Sequence, residues 1–227
     1  TEFPNLFIPP HCADDGLSLG GLEYLRRKNN LPEFTLDNFP YCQNSDESIE
    51  LPNDQIIQKV ALFLKQGKTV GWFQESGEIG PRALGNRSIL LDPRIENGKD
   101  IINRIKNREN FRPFGATVLK EHALTYFDDN FDEHMLYVTK HKTDKFPAIT
   151  HIDNTCRIQS LDQQNYSFRR LIEAFYKISG CPILLNTSLN LAGKPLANTK
   201  KDAMEIFQNT DLDIIVVGNY IYQKDNQ

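Results

Sequence analysis

Residues 71–94 read GWFQESGEIGPRALGNRSILLDPR, a sequence that places a glycine-rich loop between two apolar runs. Residues 69–73 and 88–91 have the length and apolar content of buried strands, so we predict a strand, a loop and a second strand. The loop, residues 75–87, is neither a Walker loop nor a GxGxxG fingerprint. A function for it must therefore be argued from its side chains.

Two kinds of residue in this loop favour an anion. Its glycines let backbone N–H groups approach a ligand closely. Its arginines, Arg82 and Arg87, can each make two parallel hydrogen bonds to a phosphate. We therefore predict that the loop presents guanidinium groups to phosphate. The alternative is a tight loop whose arginines pair with Asp92 or Glu78.

The segment from Arg82 to Arg112 carries more positive charge than the chain around it. The whole chain has a formal net charge of −4, and a basic segment in an acidic protein predicts an anionic partner. The acidic overall balance weighs against general nucleic-acid binding, so we expect no nucleic-acid partner. Eight basic residues stand here against four acidic ones: Arg82, Arg87, Arg94, Lys99, Arg104, Lys106, Arg108 and Arg112 against Asp92, Glu96, Asp100 and Glu109.

The rest of the main body alternates helical and strand patterns. Apolar residues at helical spacing predict helices from a cap near Asn53 to Gly67, at 100–106, at 121–126, at 168–178 before Gly180, and at 202–207 after a cap at Thr199. Strands are predicted at 114–119, 135–139, 155–160, 182–185, 214–217 and 220–222, the last two joined by a Gly-Asn hairpin turn. The order predicts an α/β (α+β) fold with a mixed twisted sheet and flanking helices.

Residues 1–28 are interpreted as a strand, an acidic turn and a helix that belong to a larger domain. The strand is the apolar run 6–8, and the helix covers 17–27 with Asp14 as its N-cap. The small residues in the first turns of that helix are those that close packing against another element requires. An ordinary N-terminal strand and helix is the alternative.

Residues 29–54 are predicted to be a linker. Pro32, Pro40 and Pro52 alternate there with polar residues, and few apolar positions show any period. We expect this segment to run over the surface of the domain that follows it, residues 55–227.

The composition excludes several classes of protein. No apolar run approaches the ~20 residues that a membrane helix needs, and no signal-peptide pattern opens the sequence. The five histidines show no metal-ligand spacing, and no catalytic Ser-His-Asp or Cys-His pattern is present. The four cysteines have no CxxC, which argues against a structural zinc site and a disulfide framework and favours a cytoplasmic protein: Cys12, Cys42, Cys156 and Cys181.

Three further clusters are candidates for ligand binding. Lys106, Arg108 and Arg112 form one, although Lys106 also ends a helix, where a cation is favoured in any case. Arg112 lies between aromatic residues and beside a proline, so we expect it to be semi-buried with a partner. The second is the string Asn186–Asn190, because polar groups at the carboxyl end of a core strand are where α/β sheets bind ligands. A plain turn is the alternative for that string.

Arg157 is the third candidate. It is a charged residue inside a strand-like stretch, HIDNTCRIQ at 151–159. Such an arginine is more often an exposed charge on an edge strand, and the surrounding residues alone do not favour a function.

Together these motifs resemble the O-carbamoyltransferase family, which includes the nodulation-factor enzymes and those of cephamycin and tobramycin biosynthesis. The resemblance covers residues 55–224. It is carried by four long strings in the family's order: FQESGEIGPRALGNRSILLDPR, INRIKNRENFRPFGATVL, HIDNTCRIQSL and CPILLNTSLNLAGKPLANTKKDAMEIFQNTDLDIIVVGNY.

The resemblance implies an enzyme of two domains. A YrdC-like domain, here 55–227, makes carbamoyl-adenylate from carbamoyl phosphate and ATP with Mg²⁺. An N-terminal domain of the actin and sugar-kinase type, of which 1–28 would be the end, holds Fe²⁺ or another divalent metal and passes the carbamoyl group to a hydroxyl-bearing small molecule. The family's acidic metal ligand would fall on Asp14. The paired histidines that complete that metal site in the family are absent from this sequence. The residues present here are therefore not sufficient for metal binding or for the final transfer step.

The resemblance also implies roles for single residues. Arg82, Lys106 and Arg112 would hold the phosphates of ATP and carbamoyl phosphate, and Arg157 would face carbamoyl phosphate. The polar string would contact the nucleotide phosphates or a bound magnesium, through Asn186, Ser188 and Asn190.

Two other functions are compatible with parts of this pattern. A threonylcarbamoyl-adenylate synthase shares the implied fold, but the GPRALGNRS string and the N-terminal segment argue against it. An RNA-binding module would need a broad basic face with stacking aromatics, and the calculated pI of about 5.8 argues against that.

Overall fold

The computed structural model describes residues 9, 11–12, 14–33, 39–41, 48–129, 131–163 and 165–224. Eight strands form one sheet in the order β4-β5-β3-β6-β2-β1-β7-β8. The strands are β1 (Val70–Phe73), β2 (Arg87–Leu91), β3 (Gly115–Leu119), β4 (Val138–Lys140), β5 (Thr155–Leu161), β6 (Ile183–Ser188), β7 (Ile214–Val217) and β8 (Tyr220–Gln223). The helices are α1 (Leu17–Lys28), α2 (Asp54–Lys65), α3 (Gly98–Ile105), α4 (Lys120–Tyr126), α5 (Tyr166–Ser179) and α6 (Lys200–Asn209).

The sheet is mixed, as the sequence predicts. β1 is parallel to β7 and β3 is parallel to β5, whereas β6 is antiparallel to both of its neighbours, β2 and β3. Every residue of β1, β2, β3 and β7 is buried. Strands that are buried on both faces need cover on both sides of the sheet, which explains their continuous apolar runs.

The helix boundaries follow from local chemistry. The side chains of Asn53 and Asn165 accept hydrogen bonds from the first turns of α2 and α5. Thr199 forms a capping box with Asp202 at the start of α6. Gly180 ends α5 with a φ of 69°, which a glycine adopts without steric cost. These caps were predicted from the sequence, except the one at Asn165.

Three predictions about local structure are wrong. The strand at 135–139 is shorter, because Met135 has a φ of 58° and the N–H of Leu136 donates to the Asp132 side chain in a turn. The strand at 182–185 continues to Ser188, so the polar string is strand rather than plain turn up to that residue. Asp14 does not cap α1: the N-cap is Gly16, and Asp14 begins a short 3-10 helix before it.

The N-terminal segment makes few contacts with the sheet. α1 buries none of its residues among those that the structure describes. The predicted strand 6–8 lies outside the described residues. Part of the predicted linker does follow the surface of the domain, because the Pro40 carbonyl accepts a hydrogen bond from the Ile79 N–H and the Tyr41 hydroxyl donates to the Leu84 carbonyl. None of the helices in the described ranges combines the length and hydropathy that a membrane crossing requires.

Candidate active site

Two adjoining cavities bring together the basic side chains that the sequence scatters over 76 positions, from Arg82 to Arg157. The larger has a volume of about 520 Å³ and the smaller about 100 Å³. Arg108 and Ser188 line both. The larger is lined by Lys106, Asn107, Arg108, Glu109, Arg112, Ser188, Asn190, Leu191, Ala192 and Gly193. The smaller is lined by Pro81, Arg82, Ala83, Arg108, Pro113, Phe114, Gly115, Met135, Arg157, Asn186, Thr187 and Ser188.

Lys106 is buried at the end of α3 and holds the turn after β6. Its Nζ donates to the carbonyl oxygens of Ser188 (2.6 Å) and Asn190 (3.0 Å). The same Nζ lies 3.2 Å from Ser188 Oγ and 2.8 Å from Asn190 Oδ1. All four acceptors are neutral, so nothing among them compensates the charge. Burial, and then the nearby Arg108, lower the pKa of Lys106 to about 7.

Arg108 stands where the two cavities meet. Its Nε donates to Asn103 Oδ1 at 2.7 Å, and its guanidinium carbon lies 4.5 Å from the centroid of the Phe114 ring. These two contacts orient the planar group, and the residue lines both cavities. Burial and the neighbouring Arg112 lower the pKa of Arg108. The sequence grouped Arg108 with Lys106 and Arg112 as a candidate cluster, but no individual role was predicted for it.

Arg112 is exposed, contrary to the expectation that it is semi-buried. It does have a partner: its Nε lies 2.8 Å from Glu109 Oε2, and both side chains are about half exposed. Phe111, which we took as a burying neighbour, is 83% exposed. Arg112 therefore stands on the solvent side of the larger cavity.

Arg82 and Arg157 both line the smaller cavity. Arg157 lies on β5, which is an interior strand between β3 and β4, so the edge-charge interpretation is wrong. Its Nε is buried and has no hydrogen-bond partner in the described structure. Burial first, and then the charges of Arg82 and other neighbours, lower its pKa to about 10. An anion placed here would relieve that repulsion.

Asn186, on β6, lines the smaller cavity and connects the loop before β2 to β3. Its Nδ2 donates to the Ala83 carbonyl at 3.1 Å and to Thr117 Oγ1 at 2.9 Å. The Thr117 hydroxyl donates to Gln159, whose amide donates to the Leu84 carbonyl. This network holds the carbonyls of Ala83 and Leu84, which directly follow Arg82 in the loop. Asn186 therefore contributes to the site by holding the loop, while its Oδ1 stays buried without a partner in the described structure.

A buried carboxylate closes the loop before β2. Glu78 Oε1 accepts hydrogen bonds from the N–H groups of Leu84 (2.8 Å), Asn86 (2.7 Å) and Arg87 (3.3 Å). Burial raises the pKa of Glu78, and these N–H groups oppose that shift. Gly85 is required at the same bend, because its φ is 115° and an added Cβ would lie 2.1 Å from the Phe168 ring.

Arg87 does not face an anion site. Its guanidinium donates to the carbonyls of Ala197 (3.0 Å), Asn86 (3.0 Å) and Glu75 (3.1 Å), and also to that of Gln74. It stacks 3.7 Å from the centroid of the Phe73 ring. The prediction that the loop presents guanidinium groups to a cavity therefore fits Arg82 and fails for Arg87. The predicted alternative, a pairing with acidic side chains, is found instead for Arg94, whose partner is Asp92.

A third cavity of about 450 Å³ shares Leu191 with the larger basic cavity. Apolar side chains form much of its wall, and Asp202 and Glu205 also line it. Its lining comprises Leu191, Lys194, Pro195, Leu196, Ala197, Asn198, Asp202, Glu205 and Ile206.

The described residues hold no cluster of three or more His, Cys, Asp or Glu side chains of the kind that binds a metal. Asp14 is exposed and lies in the N-terminal segment, and its assignment as a metal ligand stays a prediction. The oxygens of Ser188 and Asn190 accept hydrogen bonds from Lys106, and their contact with nucleotide phosphates or magnesium stays a prediction.

A model of the family described as "Carbamoyltransferase C-terminus" matches residues 61–224. The chain belongs to this family. Nodulation protein NolO of Bradyrhizobium diazoefficiens is 40% identical over 98% of this chain and 45% of its own length. A 3'-hydroxymethylcephem-O-carbamoyltransferase of Amycolatopsis lactamdurans is 32% identical over 98% of this chain and 45% of its own length. The chain thus spans less than half the length of these two relatives.

The fold of this family member is that of YrdC/Sua5-like domains. The crystal structure of P. abyssi Sua5, solved with L-threonine, superposes with a TM-score of 0.56 at 17% sequence identity. The superposition covers 75% of this chain and 50% of the Sua5 chain. The predicted fold and family are therefore both confirmed.

Proposed function

We propose that this chain forms carbamoyl-adenylate from carbamoyl phosphate and ATP, as the adenylate-forming domain of an ATP-dependent O-carbamoyltransferase. One observation carries the proposal: five basic side chains from distant parts of the sequence line two adjoining cavities that share Arg108 and Ser188. They are Lys106, Arg108 and Arg112 around the larger cavity, and Arg82 and Arg157, with Arg108 again, around the smaller.

Two joined anion sites suit a reaction between two polyanions. ATP and carbamoyl phosphate repel each other, so fixed cations must offset that repulsion before a bond can form. In this proposal the larger cavity holds the ATP phosphates and the smaller cavity holds the carbamoyl donor. Arg108, which lines both, would contact the atoms that react.

The nucleoside has a matching place beside the phosphates. The apolar cavity around Pro195 and Ile206 shares Leu191 with the larger basic cavity. An apolar cavity with a few polar groups suits a purine and a ribose. Mg²⁺ would arrive with ATP, since this ion is commonly bound by substrate phosphates with only one or two carboxylates. Glu109 is the carboxylate that lines the larger cavity.

The chemistry requires no nucleophile from the protein. Carbamoyl phosphate and one water give carbamate, inorganic phosphate and a proton. A carbamate oxygen then forms a bond to the α-phosphorus of ATP, and the bond from that phosphorus to the bridging oxygen breaks and releases pyrophosphate. The cations hold both anions in line and stabilise the charge that moves onto pyrophosphate.

The relatives are longer than this chain. We assign the later steps of the reaction to the part that they have in addition. We propose that an N-terminal domain of the same protein, with Fe²⁺ or another divalent metal, transfers the carbamoyl group to a hydroxyl-bearing small molecule and that AMP leaves. The single carboxylate of Asp14 cannot form such a metal site by itself. We also propose a cytoplasmic location, in keeping with free Cys156 and Cys181.

A phosphorus NMR time course tests the proposal. The chain is incubated with ATP, Mg²⁺ and carbamoyl phosphate, and we expect pyrophosphate only when both substrates are present. Replacing carbamoyl phosphate by threonine and bicarbonate is the control. Pyrophosphate formed only in that control would favour threonylcarbamoyl-adenylate synthesis. If ATP neither reacts nor binds in a saturable way, the proposal is wrong for this chain.

A further inference from the structure

The smaller cavity has an apolar wall for which the proposed reaction gives no role. Met135 is 2% exposed and lines this cavity together with Arg82 and Arg157. Its side chain packs directly over Gly115: a Cβ added there would lie 2.6 Å from the Met135 sulfur and 2.8 Å from the Arg157 carbonyl oxygen. The thioether therefore occupies the space that a side chain on β3 would otherwise fill, next to the strand that carries Arg157.

The backbone around Met135 is anchored rather than loose. Asp132 accepts a hydrogen bond on its side chain from the Leu136 N–H (3.0 Å), and on its carbonyl from the Ser160 N–H (2.8 Å). The second bond ties the turn to β5. Met135 itself has a φ of 58°. A non-glycine residue keeps this conformation only where its surroundings enforce it, and such residues concentrate at functional sites.

The size of the cavity limits what it can hold. Its volume of about 100 Å³, against about 520 Å³ for the larger cavity, suits a small anion of carbamate or phosphate size. A donor that carries an amino-acid side chain needs more room. The sheet, the arginines and the rigid rings of Pro81, Pro113 and Phe114 form the other parts of the wall. The flexible apolar side chain of Met135 is therefore the part whose length can set the limit.

We propose that Met135 sets the upper size limit of the carbamoyl donor, so that this site accepts a bare carbamoyl group and excludes longer acyl donors. This inference rests on the proposed function, since it assigns the donor to the smaller cavity. Met135 acts here by volume and makes no contribution to charge.

Calorimetric titration of the 227-residue chain with anions of increasing size tests this inference. The probes are inorganic phosphate, phosphonoacetate and phenylphosphonate. The variants are Met135→Ala, which removes the wall, and Met135→Gly, which removes it and also suits the positive φ. Met135→Leu restores a similar volume. Met204→Ala deletes the same atoms at the chain's other methionine, which packs on the core from α6.

We expect the wild type to prefer phosphate over phenylphosphonate. In the Ala and Gly variants that preference should shrink by about tenfold or more, because even one methylene in a pocket changes discrimination by at least about tenfold. Met135→Leu and Met204→Ala should keep the wild-type preference.

Two results would overturn the inference in distinguishable ways. If folded Met135→Gly binds phosphate but keeps the wild-type preference, Met135 does not limit donor size, and the proposed function stands. If the wild type binds none of the three anions, the donor site of the proposed function is itself wrong, and the inference falls with it.

Discussion

The loop at 75–87 and the segment at 106–112 contain similar residues and use them differently. In the loop, Arg87 is fully buried, and its donors end on backbone carbonyls. In the segment, the Nε of Arg108 and of Arg112 each has a side-chain partner, and both residues line the larger cavity. The difference teaches that the presence of an arginine does not decide its role. The groups that accept its hydrogen bonds decide whether the arginine stabilises the fold or is available to a ligand.

Lys106 combines both patterns. It is buried like Arg87, and neutral oxygens surround its ammonium group in the same way. It also lines the larger cavity. Its lowered pKa follows from this position, because no carboxylate compensates the charge that burial penalises. An arriving phosphate would supply the missing negative charge.

The largest expected effect is on stability. Arg87→Leu leaves several buried carbonyls without a donor, and we expect it to lower the free energy of unfolding by about 4 kcal/mol. Chemical denaturation measures this. Arg104→Leu, on the exposed face of α3, is the matched control and should change stability by about 0.5 kcal/mol at most. If Arg87→Leu lowers the free energy of unfolding by less than about 1 kcal/mol, Arg87 is no more important for the fold than the exposed Arg104.

The next effect is on catalysis. Arg82→Ala removes a cation from the smaller cavity, and we expect pyrophosphate formation to fall by roughly 100-fold, or about 2.7 kcal/mol in the barrier. Arg112→Ala should reduce it as well, from the larger cavity. Both variants should unfold at the wild-type denaturant concentration, as should Arg104→Ala, which should also keep full activity. A folded Arg82→Ala enzyme with wild-type turnover would remove Arg82 from the site.

A smaller effect concerns pH. Since the pKa of Lys106 in the folded chain is about 7, its charge is lost as pH rises from 6 to 8. Sulfate stays a dianion throughout this range, so its affinity should fall by up to about tenfold as pH rises. In Lys106→Met the affinity should be lower at pH 6 and nearly independent of pH. An equally steep pH profile in that variant would assign the titration to another group.

The same shift predicts how stability depends on pH. The folded pKa of Lys106 lies below the unfolded value of 10.5. The unfolded chain therefore binds more protons between these values, so this group lowers stability progressively as pH falls from about 10 to about 7. Lys106→Met should flatten that part of the stability profile measured by denaturation.

The smallest expected effect comes from removing the ion pair between Arg112 and Glu109. Glu109→Gln removes the negative charge that pairs with Arg112 on the surface of the larger cavity. Sulfate should then bind about two to five times more tightly at low salt, and the gain should vanish at 1 M salt because exposed charges are screened. Tighter binding that persists at high salt would indicate a change of shape instead of charge.

The fold could be predicted more completely than the site. Apolar periodicity and caps such as Asn53 and Thr199 are local signals, and they placed most helices and strands to within a few residues. The turn at Met135 was missed because its cause is tertiary: Asp132 binds to β5 through the Ser160 N–H. Nothing in a short window of sequence encodes that contact.

The site was predicted as a list of residues, and only the structure gives their arrangement. Arg82 and Arg87 follow the same glycine-rich pattern, and the sequence does not show that one of them is enclosed by carbonyls. The exposure of Arg112 was misjudged because an aromatic neighbour was assumed to be buried. The role of Arg108 depends on two cavities that meet only after the chain has folded.

The place of β6 in the sheet has a consequence for how the chain acquires its shape. β6 lies between β3 and β2, yet it is the sixth strand to be synthesised. Until Ser188 has been made, β4, β5 and β3 have no strand that joins them to β2 and β1. Contacts between distant parts of a chain form slowly, so a nascent chain that ends before β6 would hold two incomplete sheets with unpaired inner edges. The arginines of the smaller cavity, which come from both sheets, would meet only when this strand is inserted.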